Sequence, residues 1–137
     1  MAGVANKKMG AGFIIFNQED RNKVLVLIRD DGQYDIPKGT KDPGETSIAT
    51  AKRECFEECS IVIEDREMLP VPIYQDEVLT TFIAITDKMP HVTQNVHSGI
   101  WEHIGHQWVS EEEALANCLD YLRRHITAGF LAKEIYI

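Results

Sequence analysis

Cysteine and positive charge are both scarce in this 137-residue sequence, and each scarcity excludes something. Three cysteines, Cys55, Cys59 and Cys118, cannot all pair within one chain, and an odd count suits a reducing compartment. They lack the paired spacing of a zinc site, so we expect them to be small buried apolar residues. Lys and Arg number 14 against 22 Asp and Glu, and the net charge of −8 argues against an extended nucleic-acid-binding surface.

Long apolar runs are also missing, since no stretch approaches the length of a membrane span. We therefore expect a soluble, cytoplasmic protein with no membrane partner. With 44% apolar and 26% charged residues the composition is globular. The length is that of one ordinary domain, so residues 1–137 are predicted to form a single domain with one core.

Short apolar, β-branched runs predict the strands of a sheet. In chain order the predicted strands are Gly10–Phe16, Lys23–Ile28, Tyr34–Ile36, Ile61–Ile63, Val71–Tyr74, Val78–Ile85 and Gly105–Val109. Asp87 to Gly99 is polar and without periodicity, which predicts a long loop. Ser110 to Glu113 is a capping box for a C-terminal helix. The predicted buried face of this helix comprises Leu115, Cys118, Leu119, Leu122 and Ile126.

A second helix is predicted over Ser47–Cys59, with Thr46 or Ser47 as its N-cap. Apolar residues recur there at three- and four-residue steps and form one stripe, made of Ile48, Ala51, Cys55 and Cys59. Ala49 and Phe56 fall on another side, which indicates packing on more than one face. The segment Lys38–Glu45 before it is rich in Gly and Pro and predicts a tight, irregular loop.

Three carboxylates share one face of the predicted helix. Glu54, Glu57 and Glu58 are three and four positions apart, so they would repel each other. Arg53 can offset part of that repulsion through Glu57, its i+4 partner, or through Glu45 in the loop. The patch is either a solvated acidic face or a site for something positive.

Two features favour a bound cation over a solvated face. A glycine-rich loop that can bring backbone carbonyls close to a ligand lies beside the carboxylates, with Gly39, Pro43 and Gly44. Clustered carboxylate oxygens are the natural ligands of hard ions such as Mg²⁺ or Mn²⁺. A bound cation would also explain how an acidic protein holds an anionic substrate.

From Gly39 to Ile61 the residues resemble the signature of the Nudix hydrolases. That pattern is Gly, five residues, Glu, seven residues, Arg-Glu, a hydrophobic residue, any residue, Glu-Glu, any residue, Gly and a hydrophobic residue. The positions that fit are Gly39, Glu45, Arg53, Glu54, Cys55, Glu57, Glu58 and Ile61. Ser60 departs from the pattern, because the family has Gly there in a left-handed conformation that is costly for Ser.

The resemblance extends to most of the chain. The segments GAGFIIFN, KVLVLIR, YDIPKG and HQWVSEEEA are similar to strands and turns found in the same order in the family. It implies an α/β (α+β) fold, an α/β/α sandwich with a mixed β-sheet between helices. The box helix would lie on one side of the sheet and the C-terminal helix on the other.

The resemblance also implies a reaction, the attack of water on a phosphoanhydride in a nucleoside diphosphate linked to another group. The implied cofactor is Mg²⁺ or Mn²⁺, which would bridge phosphate oxygens and acidify the water. Arg53 and Glu45 would form a salt bridge between helix and loop. The implied metal ligands are the carbonyl of Gly39 and the carboxylates of Glu54, Glu57 and Glu58.

An acid outside the box often serves in this family as a metal ligand or general base. Glu102 is the candidate, because EHIGHQW resembles the Glu-His segment that precedes a Trp in diadenosine tetraphosphate hydrolases. The alternative is that Glu102 is a solvated loop acid, which would leave Glu111 or Asp87 for the role. Glu111 suits it less because it initiates a helix. The five histidines are left unassigned.

For the substrate, Pro37-Lys38-Gly39 resembles the Pro-Lys-Gly of dinucleoside polyphosphate and diphosphoinositol polyphosphate hydrolases. Lys38 would meet a phosphate as a point charge. Tyr74 is a candidate for stacking on adenine, and Arg29 is a further candidate substrate-binding residue. A dinucleoside polyphosphate such as diadenosine tetraphosphate is the favoured small-molecule substrate. The protein is expected to be a monomer or a homodimer.

Three alternatives remain beside this hypothesis. The first is a Nudix pyrophosphatase that acts on ADP-ribose, a (d)NTP or the 5′ end of RNA. The second is a catalytically silent module that binds a nucleotide, although such a module has no need for all the box glutamates. The third is a purely structural acidic helix.

Overall fold

The centre of the fold is a strand that is buried on both faces. In the computed structural model, which describes residues 9–92 and 101–136, strand β1 (Gly10–Asn17) buries every residue from Ala11 to Phe16. The continuous apolar run of β1 is typical of a strand covered from both sides. The other strands are β2 (Val24–Arg29), β3 (Tyr34–Asp35), β4 (Lys38–Thr40), β5 (Tyr74–Gln75), β6 (Leu79–Thr86) and β7 (His103–Val109). The helices are α1 (Ser47–Cys59), α2 (Glu111–Asn117) and α3 (Arg123–Tyr136), with 3₁₀ turns at Asp65–Glu67 and Asp120–Leu122.

The sheet is mixed. β1 runs parallel to β6, with Gly10 opposite Leu79, and antiparallel to β2 and β4. Both β3 and β7 pair with β2, and β5 closes the far edge beyond β6. These seven strands of the described chain therefore form one sheet, as the resemblance implied, and β4 brings residues 38–40 alongside the start of β1.

Alternate residues of β1 face two different cores. Phe13 and Ile15 belong to the core beneath α1, whereas Ile14 and Phe16 belong to the core beneath α2 and α3. The period of two along a strand sends successive side chains to opposite faces. This two-sided packing confirms the expected α/β/α sandwich.

The three cysteines are buried free thiols, as expected. Cys55 and Cys59 lie in the core beneath α1, and Cys118 lies in the core on the other side of the sheet. None of the described helices combines the length and the apolar character needed to span a bilayer.

Helix α1 packs on one face only, so the prediction of a second apolar face is wrong. Phe56 is 54% exposed and Ala49 is also exposed. Ala51, Cys55 and Cys59 are fully buried, because the sheet covers one side of the helix and solvent the other. The apolar stripe was therefore the part of the pattern that determined the packing.

Two predicted strands differ from the structure. Ile61–Ile63 is not a strand, although Ile61 and Ile63 are buried and Val62 is exposed, because the alternation reflects packing against the core beneath α1 rather than strand pairing. In Val71–Tyr74 the ladder begins only at Tyr74, since Pro72 has no N–H to donate.

The predicted C-terminal helix is divided in two. Ser110 caps α2, as its hydroxyl oxygen accepts from the Glu113 N–H at 3.2 Å, but α2 ends at Asn117. Cys118 is extended because it bridges to Tyr34 of β3, and the Leu119 N–H donates to the Tyr34 carbonyl at 3.0 Å. This break leaves Leu115 only partly buried.

The segment before α1 and the long loop also differ in part. The first residues of the predicted loop Lys38–Glu45 form β4, because they pair with the start of β1. The predicted loop Asp87–Gly99 has no helix or strand up to residue 92. Residues 93–99 of that prediction lie outside the described residues.

Ser60 ends α1 in the left-handed conformation, with φ of 64° and ψ of 19°. Its hydroxyl donates to the His91 carbonyl at 3.1 Å. Because Ser60→Gly and Ser60→Ala both remove this bond but only Ala keeps a Cβ, we expect the Gly variant to be more stable. The difference should be about 1 kcal/mol in the free energy of unfolding, measured by urea denaturation.

The matched control compares Ala with Gly at a position within the helix. At exposed Ala49, where the backbone is right-handed, the order should reverse, with Ala49→Gly less stable than wild type by about 1 kcal/mol. Equal stability of the two Ser60 variants would contradict the left-handed cap.

Candidate functional site

Helix α1 presents the box carboxylates because its buried stripe fixes its rotation against the sheet. Its first turn is capped by Thr46, whose hydroxyl oxygen accepts from the Ala49 N–H at 3.1 Å. The structure brings together Glu54 and Glu58 beside β4, while Glu57 lies further out and is 46% exposed.

Arg53 is the charge that holds this acidic face together. Its Nε donates to Glu45 Oε2 at 2.7 Å, and its Nη1 donates to Glu54 at 3.0 Å and to Glu57 at 3.1 Å. Its Nη2 also donates to the Thr40 carbonyl at 3.0 Å. Both partners proposed from the sequence, Glu45 and Glu57, are thus engaged at once.

Glu45 is tied to the loop as well as to Arg53. The Arg53 hydrogen bond, the Asp42 N–H at 2.9 Å and the Thr50 hydroxyl at 2.7 Å lower the pKa of Glu45 to about 2. These contacts occupy its oxygens, so Glu45 braces the loop against α1 rather than facing a ligand.

Gly39 of β4 lies against the carboxyl group of Glu54. A Cβ at position 39 would lie 1.9 Å from the carboxyl carbon of Glu54 and 2.2 and 2.3 Å from its oxygens. Any larger residue would therefore displace Glu54. The close approach puts the backbone of β4 and this carboxyl group at one place.

Glu58 is the carboxyl group of the box whose pKa is raised to about 9. One of its oxygens accepts from the Lys38 N–H at 2.9 Å. Burial, with the nearby charges of Asp35 and Glu54, raises the pKa of Glu58 to about 9. Burial also raises the pKa of Glu54. Positive charge from a bound cation would offset this effect of burial and stabilise the ionised form of both groups.

A second group of polar side chains adjoins Glu58. His103 Nε2 lies 2.9 Å from Asp35 Oδ2, and Lys38 Nζ lies 3.3 Å from Asp35 Oδ1. Burial opposes ionisation of Asp35, but His103 and Lys38 outweigh it and lower its pKa. Potential ligand atoms of Glu58, exposed Glu102 and buried His103 all lie within 4.8 Å of one another.

Sequence reasoning missed Asp35 and His103. The only available signal was their position, since Asp35 precedes Pro37-Lys38-Gly39 and His103 follows Glu102. The two residues meet only in the folded sheet, because β3 and β7 both pair with β2. Asp35 lies opposite Leu27, and His103 lies opposite Arg29.

Lys38 opens onto a cleft of about 440 Å³. Its Nζ lies 5.8 Å from the centre of the Tyr121 ring. The lining residues are Gly10, Lys38, Gly39, Thr40, Val78, Leu79 and Tyr121. Asp35 raises the pKa of Lys38 despite the opposing effect of burial, so the ammonium stays charged beside this cleft.

The two other candidate substrate-binding residues lie elsewhere. Tyr74 packs edge-on against His125 of α3, with ring centroids 4.8 Å apart, and does not line the cleft. Arg29 pairs with Asp31 in the turn after β2, Nη2 to Oδ2 at 3.0 Å. Tyr121 is the aromatic residue that the structure places at the cleft.

Comparisons with known proteins bear on the family and the fold. Residues 6–130 match the family model of the NUDIX domain. None of the curated protein sequences matches the chain. The fold is similar to that of an Ap4A hydrolase from C. elegans, with 20% identity, 91% of this chain and 98% of that chain covered, and a TM-score of 0.65.

Two other solved structures have similar folds. A MutT protein from Methanosarcina mazei is 19% identical, with 96% of this chain and 99% of that chain covered and a TM-score of 0.63. The dihydroneopterin triphosphate pyrophosphohydrolase of E. coli is 20% identical, with 88% and 94% covered and a TM-score of 0.62. At these identities the likeness establishes the fold.

The raised pKa of Glu58 generates a prediction for the metal-free protein. Between its ordinary value near 4.5 and about 9, the unfolded chain releases a proton that the folded chain keeps. Glu58 therefore makes the free energy of unfolding fall as the pH rises through this range. We expect Glu58→Gln to remove this slope and to be more stable than wild type at about pH 8 in a chelator, as measured by urea denaturation.

Glu45→Gln is the control of opposite sign. The pKa of Glu45 is lowered to about 2, so its stabilisation is present above its ordinary pKa and is lost on acidification. Parallel pH curves for wild type and Glu58→Gln would refute the raised pKa of Glu58 in the folded protein.

Proposed function

Because the chain belongs to the NUDIX domain family, we propose that it hydrolyses a phosphoanhydride bond in a dinucleoside polyphosphate such as diadenosine tetraphosphate. Nudix enzymes are pyrophosphohydrolases that generally use divalent cations and act on small nucleotides. The observation that carries the proposal is the pair of half-buried carboxyls, Glu54 and Glu58, held against β4 and next to the charged Lys38.

The donor set fits a hard divalent cation. All its members are oxygen donors, and burial raises the pKa values of two of its carboxyls, an effect that a bound cation would oppose. The proposed ligands of Mg²⁺ or Mn²⁺ are the Gly39 carbonyl and the carboxylates of Glu54, Glu57, Glu58 and Glu102. When bound, the cation would neutralise charge on the phosphates and lower the pKa of a water molecule.

The other residues of the site are assigned roles in binding and positioning. Arg53 and Glu45 keep α1 and the loop in register, so that Glu54 stays against Gly39. Glu102 is exposed beside Glu58, where it can accept a proton from the attacking water. Lys38, whose ammonium adjoins the cleft, would bind a phosphate beyond the cleaved bond.

The cleft gives the substrate a second point of attachment. Its volume of about 440 Å³ lies in the usual range of ligand pockets, roughly 300–1,000 Å³. Tyr121 offers an aromatic face, and Val78 and Leu79 offer apolar contacts to a base. This arrangement favours Tyr121 over Tyr74 as the stacking residue, and Arg29 is kept as an outer contact for phosphate.

The proposal includes a cytoplasmic protein, active as a monomer or homodimer. Its three free thiols suit a reducing compartment. The net charge of −8 is consistent with a small-molecule substrate rather than an extended nucleic acid.

A substrate panel with Mg²⁺ or Mn²⁺ tests the proposed activity. It should contain dinucleoside polyphosphates, ADP-ribose, (d)NTPs and triphosphorylated RNA, and we expect the highest kcat/KM for a dinucleoside polyphosphate. Glu58→Gln should lower turnover by about a hundredfold or more with its fold intact, because it removes a metal-binding charge.

The control for this variant is Glu112→Gln, a change of the same charge at an exposed position of α2. It should have wild-type activity. Near-normal turnover of Glu58→Gln at saturating Mg²⁺ would contradict the metal assignment, and binding of nucleotides without hydrolysis would favour a silent module.

Lys38→Ala tests the choice of substrate. If the ammonium binds a phosphate beyond the cleaved bond, the variant should lose more kcat/KM on a four-phosphate dinucleotide than on ADP-ribose. A charged contact of about 1.5–3 kcal/mol predicts a tenfold or larger change in the ratio of the two kcat/KM values.

Comparing two substrates with one variant cancels any loss of stability from removing the Asp35 partner. Lys41→Ala, an exposed lysine just after β4, is the matched control and should leave the ratio unchanged. Equal losses on both substrates would mean that Lys38 serves only the loop or the shared diphosphate.

A further inference from the structure

His103 reaches the site through an irregularity in the sheet. Along the β2–β7 pair, Gly105 lies opposite Ile28, but the next residue of β2, Arg29, lies opposite His103. Ile104 is skipped, and it is 64% exposed whereas His103 is 2% exposed. Successive residues of a strand face opposite sides, so this bulge re-aims His103 to the side opposite the one that a regular ladder would give it.

Asp35 holds the re-aimed imidazole. Its Oδ2 lies 2.9 Å from His103 Nε2, while its other oxygen accepts from the Ile36 N–H at 2.8 Å and lies 3.3 Å from Lys38 Nζ. A carboxylate can only accept hydrogen bonds, so Nε2 carries the proton and Nδ1 keeps its lone pair in the neutral ring. Histidines that bind metals in proteins are commonly held by a carboxylate in this way.

The imidazole also lies near the carboxylates of Glu58 and Glu102, which an Asp–His pair with a purely structural role would not require. Ligand atoms of Glu58, Glu102 and His103 lie within 4.8 Å of one another, a separation that one ion can bridge. Glu58 comes from α1, His103 is the first residue of β7, and Glu102 directly precedes it. Three elements, β3, α1 and β7, therefore converge on one set of oxygen and nitrogen donors.

We propose that His103, oriented by Asp35, supplies a nitrogen ligand to a cation held by Glu58 and Glu102, and that this ligand makes the site select Mn²⁺ over Mg²⁺. The proposal rests on the metal-dependent function above and assigns a role to a residue outside the box. Oxygen donors alone suit both ions, whereas imidazole favours the transition metal. The selectivity would come from this chain's own residue at position 103.

The ligand is tested directly by pulsed electron paramagnetic resonance of bound Mn²⁺, without substrate. The full-length protein is prepared with natural and with ¹⁵N-labelled histidine. A nitrogen coupling that changes with the label shows that histidine is bound to the ion. We expect this coupling in wild type and in His106→Gln, a control on the same strand, and its loss in His103→Gln.

Metal affinities give a second readout. We expect His103→Gln to raise the Kd for Mn²⁺ by about tenfold or more and the Kd for Mg²⁺ by less than about threefold. Asp35→Asn, which keeps the imidazole but weakens its support, should raise the Kd for Mn²⁺ by an intermediate factor. His106→Gln should leave both constants unchanged, and circular dichroism verifies that each variant is folded.

The outcomes separate this proposal from the proposed function. Mn²⁺ bound to wild type without a histidine coupling overturns the role of His103 even if hydrolysis proceeds, and so does an unchanged Mn²⁺-to-Mg²⁺ ratio in folded His103→Gln. Histidine coupling without hydrolysis of any nucleotide upholds the nitrogen ligand and refutes the activity. Failure of wild type to bind Mn²⁺ overturns both.

Discussion

The shared charge of Arg53 is the interaction on which the rest of the site depends. It binds Glu45, Glu54 and Glu57 at once and so lets an acidic helix face lie against a loop and a strand. Its reach does not extend to Glu58, whose polar partner is the backbone N–H of Lys38. The cluster is therefore neutralised by Arg53 at one end, while burial keeps the pKa of Glu58 raised at the other.

Close backbone approach is the second requirement. β4 lies against β1 because a Cβ at Gly12 would come within 2.5 Å of the Pro37 carbonyl, just as a Cβ at Gly39 would meet Glu54. Glycine is needed at both positions for space rather than for an unusual backbone angle. The sheet can thus carry the Pro37-Lys38-Gly39 segment directly under the carboxylates of α1.

The parts of the site that are local in sequence could be predicted from it. Spacing on a helix places Glu54, Glu57 and Glu58 on one face, and Arg53 one turn from Glu57, whatever the rest of the chain does. The Asp35–His103 pair could not be predicted, because it needs β2 to pair with both β3 and β7 and a bulge at Ile104. The break at Cys118 was hidden for the same reason, since a contact with β3 outweighs a continuous apolar stripe.

The parallel pairing of β1 with β6 also has a consequence for how the molecule assembles. β4 and α1 lie between these two strands in the chain, so the box belongs to the long crossover that joins them. Pairs so distant in sequence raise the contact order and slow folding, because a large loop must close before any pairing energy is gained. On a growing polypeptide α1 would emerge well before β6 and β7. The carboxylate cluster would then lie on a helix whose core is still incomplete, because Phe82 and Ala84 of β6 pack beneath α1 only after that strand has been synthesised.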